Sequence, residues 1–228
     1  MIRTARVRWA RSYRLVPSRF PPVGLFDRVA RPEDLEVVFA AEALTNDRLR
    51  DEAGDLALVP PEDRISGPGT TPVMAAFTHL NPEGSRFSDG TFGVYYGARE
   101  METAVAERAL HAARFLARTG EPAGEVDMRT YVARIDAELV ELRGYGRRRR
   151  NDLMAPESYA DSQAFARARR DEGAGGIVYD SVRHPGGQCA AIFRPRLVRD
   201  CVQGPHVCLV WDGRAMTGWY EKSAVRNV

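Results

Sequence analysis

The chain reads as an α+β fold, and three observations support that reading. Short runs of strand-forming residues and amphipathic helical stretches are mixed along it without the regular strand-helix alternation of a doubly wound sheet. At 228 residues and 44% hydrophobic content it has the material for a substantial core, so residues 1–228 are read as one large domain. No internal repeat or low-complexity tract interrupts it.

In chain order, the first strand is expected over Val7 to Val16. There Trp9, Arg11, Tyr13 and Leu15 alternate with Arg8, Ala10, Ser12 and Arg14, giving one amphipathic and one polar face. The prolines of Pro17-Ser18-Arg19-Phe20-Pro21-Pro22 stop regular structure. A helix is expected from Pro32 to about Thr45, with Glu33 and Asp34 in its first turn. Gly54 to Pro72 is rich in Pro and Gly and reads as a long loop.

The segment Gly84 to Glu107, GSRFSDGTFGVYYGAREMETAVAE, combines a basic glycine-containing turn, a short aromatic strand and the start of a helix. Along the strand Phe92, Val94 and Tyr96 share one face, and Gly93 and Tyr95 the other, so the two tyrosines point opposite ways. The helix carries an apolar stripe of Met101, Val105, Ala109, Ala112 and Leu116. Glu107 lies off the stripe with Ala104, Leu110, His111 and Arg114, where it either pairs with Arg114 or His111 or faces a cleft. Arg86 sits in a turn that suits either phosphate binding or simple solvation.

Beyond it, Glu121 to Glu125 reads as a turn and Met128 to Leu142 as one or two strands. The run Arg147 to Arg150 then breaks the pattern. A second helix is expected from Pro156 to about Asp171, followed by strands at Gly176 to Val182, Gln188 to Phe193 and Val207 to Trp211.

Composition excludes several classes. The net charge of +2 comes from 33 Lys and Arg against 31 Asp and Glu, and Lys222 is the one lysine. No apolar run is long enough to span a bilayer and the N-terminus lacks the apolar core of a secretory signal, so a cytoplasmic protein without membrane attachment is expected. The three cysteines, Cys189, Cys201 and Cys208, show no C-x-x-C spacing and predict neither a disulfide framework nor a zinc site. Dinucleotide-binding G-x-G-x-x-G, P-loop, H-E-x-x-H and nucleophile-elbow motifs are absent. An arginine-rich nucleic-acid-binding module without catalysis is the alternative reading, resting on Arg147 to Arg150 and the basic N-terminus with Trp9 and Tyr13. A hydrolase built on Ser181 and His184 is a second alternative, weakened by their separation of three residues.

Several segments together resemble the RES domain family, the toxin half of RES/Xre-type toxin-antitoxin pairs. They are Tyr13 to Pro17, Leu44 to Arg50, the whole of Gly84 to Glu107, Ser158 to Gln163, and Gly176 to Gly187 as GIVYDSVRHPGG. The resemblance implies an ADP-ribosyltransferase-like core of mixed β-sheets flanked by helices. It also implies NAD+ as substrate, cleaved at the nicotinamide-ribose bond with no bound cofactor or metal. It places Arg14 on the NAD diphosphate, Arg86 as a second phosphate or ribose contact, Tyr96 on the nicotinamide, and Glu107 on the ribose hydroxyls and the cationic transition state. Tyr95 is the fallback for Tyr96. Ser181 is the functional serine, with Ser162 the second candidate. The implied partner is an Xre-like helix-turn-helix antitoxin through which nucleic acid is met only indirectly, and self-association is plausible.

Overall fold

The computed structural model describes residues 3–18, 26–28, 31–35, 37, 54–144 and 152–223. Seven strands form one sheet: β1 (Thr4–Pro17), β2 (Tyr95–Ala98), β3 (Gly124–Glu141), β4 (Gly176–Asp180), β5 (Gln188–Ile192), β6 (Val198–Trp211) and β7 (Met216–Glu221). Their order is β1-β2-β5-β4-β3-β6-β7, with a further β1–β3 pairing that closes β1, β2, β5, β4 and β3 into a ring. Three helices with defined ranges, α1 (Thr71–Thr78), α2 (Met101–Thr119) and α3 (Ala160–Asp171), accompany the sheet together with short 3-10 turns. This is the α+β class the sequence predicts, with all strands in a single mixed sheet.

The sheet is covered on both faces. On one, Val7, Trp9, Tyr95, Ile135 and Ile192 pack with Val73, Met74 and Phe77 of α1. On the other, Leu15, Tyr179, Cys189 and Ala191 pack with Ala104, Val105 and Ala112 of α2 and with Ala166 of α3. Alternation along β2 sends Tyr95 to the first face and Tyr96 to the second, as period-two geometry requires. Two stripe residues of α2, Val105 and Ala112, are buried. The helix ends where Gly120 adopts φ 68° and its N–H caps the Leu116 carbonyl, a left-handed termination that glycine takes without a Cβ clash.

Several boundaries differ from the sequence reading. The strict alternation expected along β1 is broken by a register shift between Trp9 and Ser12. A bulge there moves the following side chains to the opposite face. Ser12 is consequently buried and donates to the Ala133 carbonyl at 2.8 Å, while Arg11 is exposed. Residues 128–141 belong to one long strand, β3, which begins within the expected turn, at Gly124. Strand β6 starts nine residues before the expected position, at Val198, and β7 was not anticipated. The expected loop Gly54 to Pro72 contains two short 3-10 turns and the start of α1. At Pro32 a 3-10 turn is found, and most of the helix expected from there to Thr45 falls outside the described residues. So do the Leu44 to Arg50 segment and Arg147 to Arg150.

Candidate active site

Glu107 lies in the second turn of α2, half-buried on the flank of the face that packs on the sheet. Of the alternatives its helix position leaves open, neither pairing is found. Arg114 is ion-paired with Glu157 instead. The partner of Glu107 is Ser181, whose hydroxyl donates to Oε1 at 2.6 Å.

That bond has a fixed polarity. A serine hydroxyl has one proton and two acceptor lone pairs. Ser181 Oγ accepts from the backbone N–H of Arg183 at 3.1 Å and of His184 at 2.9 Å, which leaves its proton for Glu107. Oε1 therefore takes a short bond of the charge-assisted type. The buried thiol of Cys189 stands 3.9 Å from the same oxygen. Desolvation and the Glu107 charge beside it push the Cys189 thiol pKa well up. Both neighbours hold Oε1, so Oε2 is the oxygen presented for further bonding.

Ser181 is delivered by sheet topology. It follows β4 directly, and β4 pairs with β5 from Gly176–Ile192 through Asp180–Gln188. Cys189, opposite Tyr179 in that register, starts the buried run of β5 and so arrives under Glu107 from the neighbouring strand.

A family model described as "RES domain" matches residues 61–212, well over half of the chain. The chain belongs to the RES domain family. It is 30% identical over 210 residues to the uncharacterized protein y4oC of Sinorhizobium fredii, covering 91% of this chain and 86% of that one. It is also similar to a solved structure, the M. tuberculosis MbcT-MbcA toxin-antitoxin complex, at 12% identity and a TM-score of 0.46, over 88% of this chain and 86% of that one.

The other candidate residues of this RES domain fall into two groups. Tyr96 and Arg86 stand on the sheet face that bears Glu107. The Tyr96 hydroxyl is locked by the Ser85 hydroxyl at 2.8 Å and by the Phe87 N–H at 2.9 Å. Desolvation pushes its pKa up to about 12 against those bonds, so it remains a neutral phenol at ordinary pH. Gln163 of α3 holds the turn itself, donating to the carbonyls of Ser85 and Ser88 at 2.9 and 3.2 Å. Arg86 is buried; Nη1 donates to the Ala155 carbonyl at 2.9 Å, and its guanidinium lies 4.8 Å from the centre of the Tyr159 ring. Its charge is felt at Tyr96, Tyr179 and Cys189, which pack on that same face.

Arg14, Tyr95 and Ser162 are not brought to Glu107. The bulge in β1 turns Arg14 toward the other sheet face, where its guanidinium lies 5.0 Å from the centre of the fully buried Tyr95 ring. The resemblance implies one pocket containing Arg14, Tyr96, Glu107 and Ser181; instead the sheet stands between Arg14 and the other three. Beyond Tyr13–Ala98, however, β1 no longer pairs with β2 and continues along β3. At this seam Arg14 Nη1 reaches the Tyr96 carbonyl at 3.4 Å, while Nε is buried without a hydrogen bond. Desolvation lowers the Arg14 pKa. Ser162 is fully buried in the first turn of α3 and donates to the Tyr159 carbonyl at 3.0 Å, a helix-end role.

Sequence reasoning gave no role to Thr103 or Gly187 and weighed His184 only as a hydrolase base. His184 gives Ser181 its backbone N–H, and its ring meets Thr103, with Nδ1 2.8 Å from Oγ1. That arrangement does not support a Ser-His hydrolase. Among the described residues no group of three or more His, Cys, Asp or Glu could hold a metal ion, and no helix is long and apolar enough to cross a membrane. A cavity of about 240 Å³ lined by Asp63, Phe77, Arg170 and Arg194 lies away from Glu107, and its Asp63 is ion-paired with Arg194 and Arg196.

Proposed function

We propose that the chain is the toxin of a toxin-antitoxin pair and breaks the nicotinamide-ribose bond of NAD+. Membership of the RES family supports the class. The observation that carries the chemistry is the oriented carboxylate, Glu107, whose Oε1 is held by Ser181 at 2.6 Å.

In this reaction the C1′–N bond breaks and its electron pair goes to the pyridinium nitrogen, which leaves as neutral nicotinamide. The ribosyl carbon becomes cationic. A fixed anion beside it stabilises the transition state more than the ground state, because positive charge moves from the leaving ring to the sugar. Glu107 supplies that anion and, through Oε2, an acceptor for the ribose hydroxyls. Ser181 fixes the direction in which the carboxylate points. Tyr96, with its hydroxyl tied down, offers a ring that does not rotate away from the nicotinamide.

Arg86, on the face of Glu107, is assigned to the diphosphate. Arg14 is assigned to it as well, approaching through the seam between β1 and β2 with donors left over. The ADP-ribosyl group passes to water, to phosphate or to a protein side chain, and nicotinamide is the product common to all three. An Xre-like antitoxin is the proposed partner, acting by covering this site, and the cytoplasm is the proposed place of action.

The test is nicotinamide release from NAD+ by purified protein, with phosphate and candidate protein acceptors supplied in separate reactions. Release in none of them refutes the proposal.

A further inference from the structure

We infer that Thr103, His184 and Gly187 are positioning residues that fix Ser181 against Glu107 through a second attachment of the same loop to the same helix. The inference rests on the reading of Glu107 as the reacting carboxylate.

Thr103 and Glu107 are four residues apart on α2 and so lie on one face, one turn from each other. Each grips the loop after β4. Glu107 accepts from Ser181, and Thr103 Oγ1 lies 2.8 Å from His184 Nδ1. Thr103 is fully buried, and its hydroxyl also lies 3.4 Å from Glu100 Oε2. The helix therefore holds the loop at residues 181 and 184, three apart. Shifts of the loop along the helix are opposed at both points.

The loop closes on itself between these attachments. Ser181 N–H donates to the Gly187 carbonyl and Gly187 N–H to the His184 carbonyl, both at 2.9 Å. Gly187 sits where a side chain cannot. A Cβ there would stand 2.3 Å from Thr103 Oγ1 and 2.9 Å from His184 Nδ1. The close approach that requires glycine is thus the contact that seats the His184 ring on Thr103. His184 contributes twice, since its backbone N–H fills a lone pair of Ser181 Oγ while its ring is pinned. Releasing the ring frees that N–H and, with it, the polarity of the Ser181–Glu107 bond.

The decisive variant is Thr103→Val, which keeps the buried shape and removes the hydroxyl, with Thr103→Ser as the rescue. His184→Ala, at a half-exposed position, removes the ring without altering the core. Amide hydrogen exchange of Arg183 and His184 reads the loop without any substrate. Thr103→Val and His184→Ala should each speed exchange at these two amides by about tenfold, as loss of one hydrogen bond implies. Exchange along β5 should not change. In nicotinamide release, kcat should fall by about tenfold with KM within about twofold, and Thr103→Ser should restore both readouts. Unchanged exchange at residues 183 and 184 in either variant overturns the inference. So does a loss of kcat accompanied by faster exchange throughout the sheet and not rescued by serine. If the unmodified protein releases no nicotinamide, the reading of Glu107 fails, while the amide exchange still decides the attachment of the loop.

Discussion

Removing the Ser181 hydroxyl breaks three bonds at once, and their separate contributions are measurable. Ser181→Ala loses two backbone N–H bonds to Oγ, at 3.1 and 2.9 Å, and the 2.6 Å bond to Glu107. Each neutral bond contributes about 1 kcal/mol net and a bond to a charged group about 1.5 to 3 kcal/mol. Glu107 is half-buried, so the lower end, about 1.5 kcal/mol, applies to it. The single variant should therefore lose about 3.5 kcal/mol in total. A double-mutant cycle with Glu107→Ala isolates the carboxylate bond, since the two backbone bonds are lost identically in both Ser181→Ala backgrounds. Urea unfolding supplies the four free energies. With a slope of about 3 kcal/mol per molar, the coupling corresponds to about 0.5 M in midpoint. A coupling below about 0.3 kcal/mol, within the spread of independent sites, would refute the claim that Ser181 holds Glu107 in solution.

Gly187→Ala should destabilise the fold by about 1 to 3 kcal/mol through overpacking, because its Cβ would meet Thr103 Oγ1 at 2.3 Å; an unchanged melting temperature would contradict that contact. In steady-state assays Arg86→Met should raise KM for NAD+ more than Arg14→Met, since Arg86 shares the face of Glu107 and Arg14 reaches it only through the seam. The reverse order would return the diphosphate chiefly to Arg14. Stability should fall on the alkaline side. Burial raises Cys201 from 9.0 to about 12 and Tyr96 from 10.0 to about 12, so the unfolded chain ionises first and the folded state loses ground as pH rises above about 9 through 12. Cys201 alone accounts for about 2 kcal/mol at pH about 10.5, and equal urea midpoints at pH 8 and 10.5 would exclude it. All three cysteines are buried and have raised pKa values, so alkylation by iodoacetamide should be slow in the native protein and rapid in urea; rapid labelling of the native protein would contradict this.

Much of the site region was legible because its residues obey local periodicities. Opposite orientation of Tyr95 and Tyr96 follows from strand alternation, and the flank position of Glu107 follows from the spacing of Val105 and Ala112. The partner of Glu107 could not be read this way. Helix spacing offers Arg114 and His111, whereas the partner found, Ser181, lies 74 positions away and is brought within hydrogen-bond distance at the end of β4. Arg14 shows a different limit. Alternation along β1 assigns its face wrongly because one bulge between Trp9 and Ser12 reverses everything after it, and nothing in the local composition marks the bulge. The β6–β7 hairpin was under-read for a third reason. Gly204 and Pro205 interrupt the residue pattern of β6, and β7 is largely exposed, so neither carries a strong apolar alternation. Gly187 had a signal in its pairing with Gly186, but its close approach to Thr103 is a tertiary fact.

The central claim is that Glu107, held by Ser181, is the anion that allows NAD+ to lose nicotinamide. Chromatographic measurement of nicotinamide released by the unmodified protein and by Glu107→Gln tests it most directly, with matched melting temperatures showing that both are folded. The glutamine keeps the shape and an acceptor for Ser181 while removing the charge. Loss of a preorganised charge at the reacting centre should slow release by about a hundredfold or more. Release at the unmodified rate by Glu107→Gln would contradict the claim.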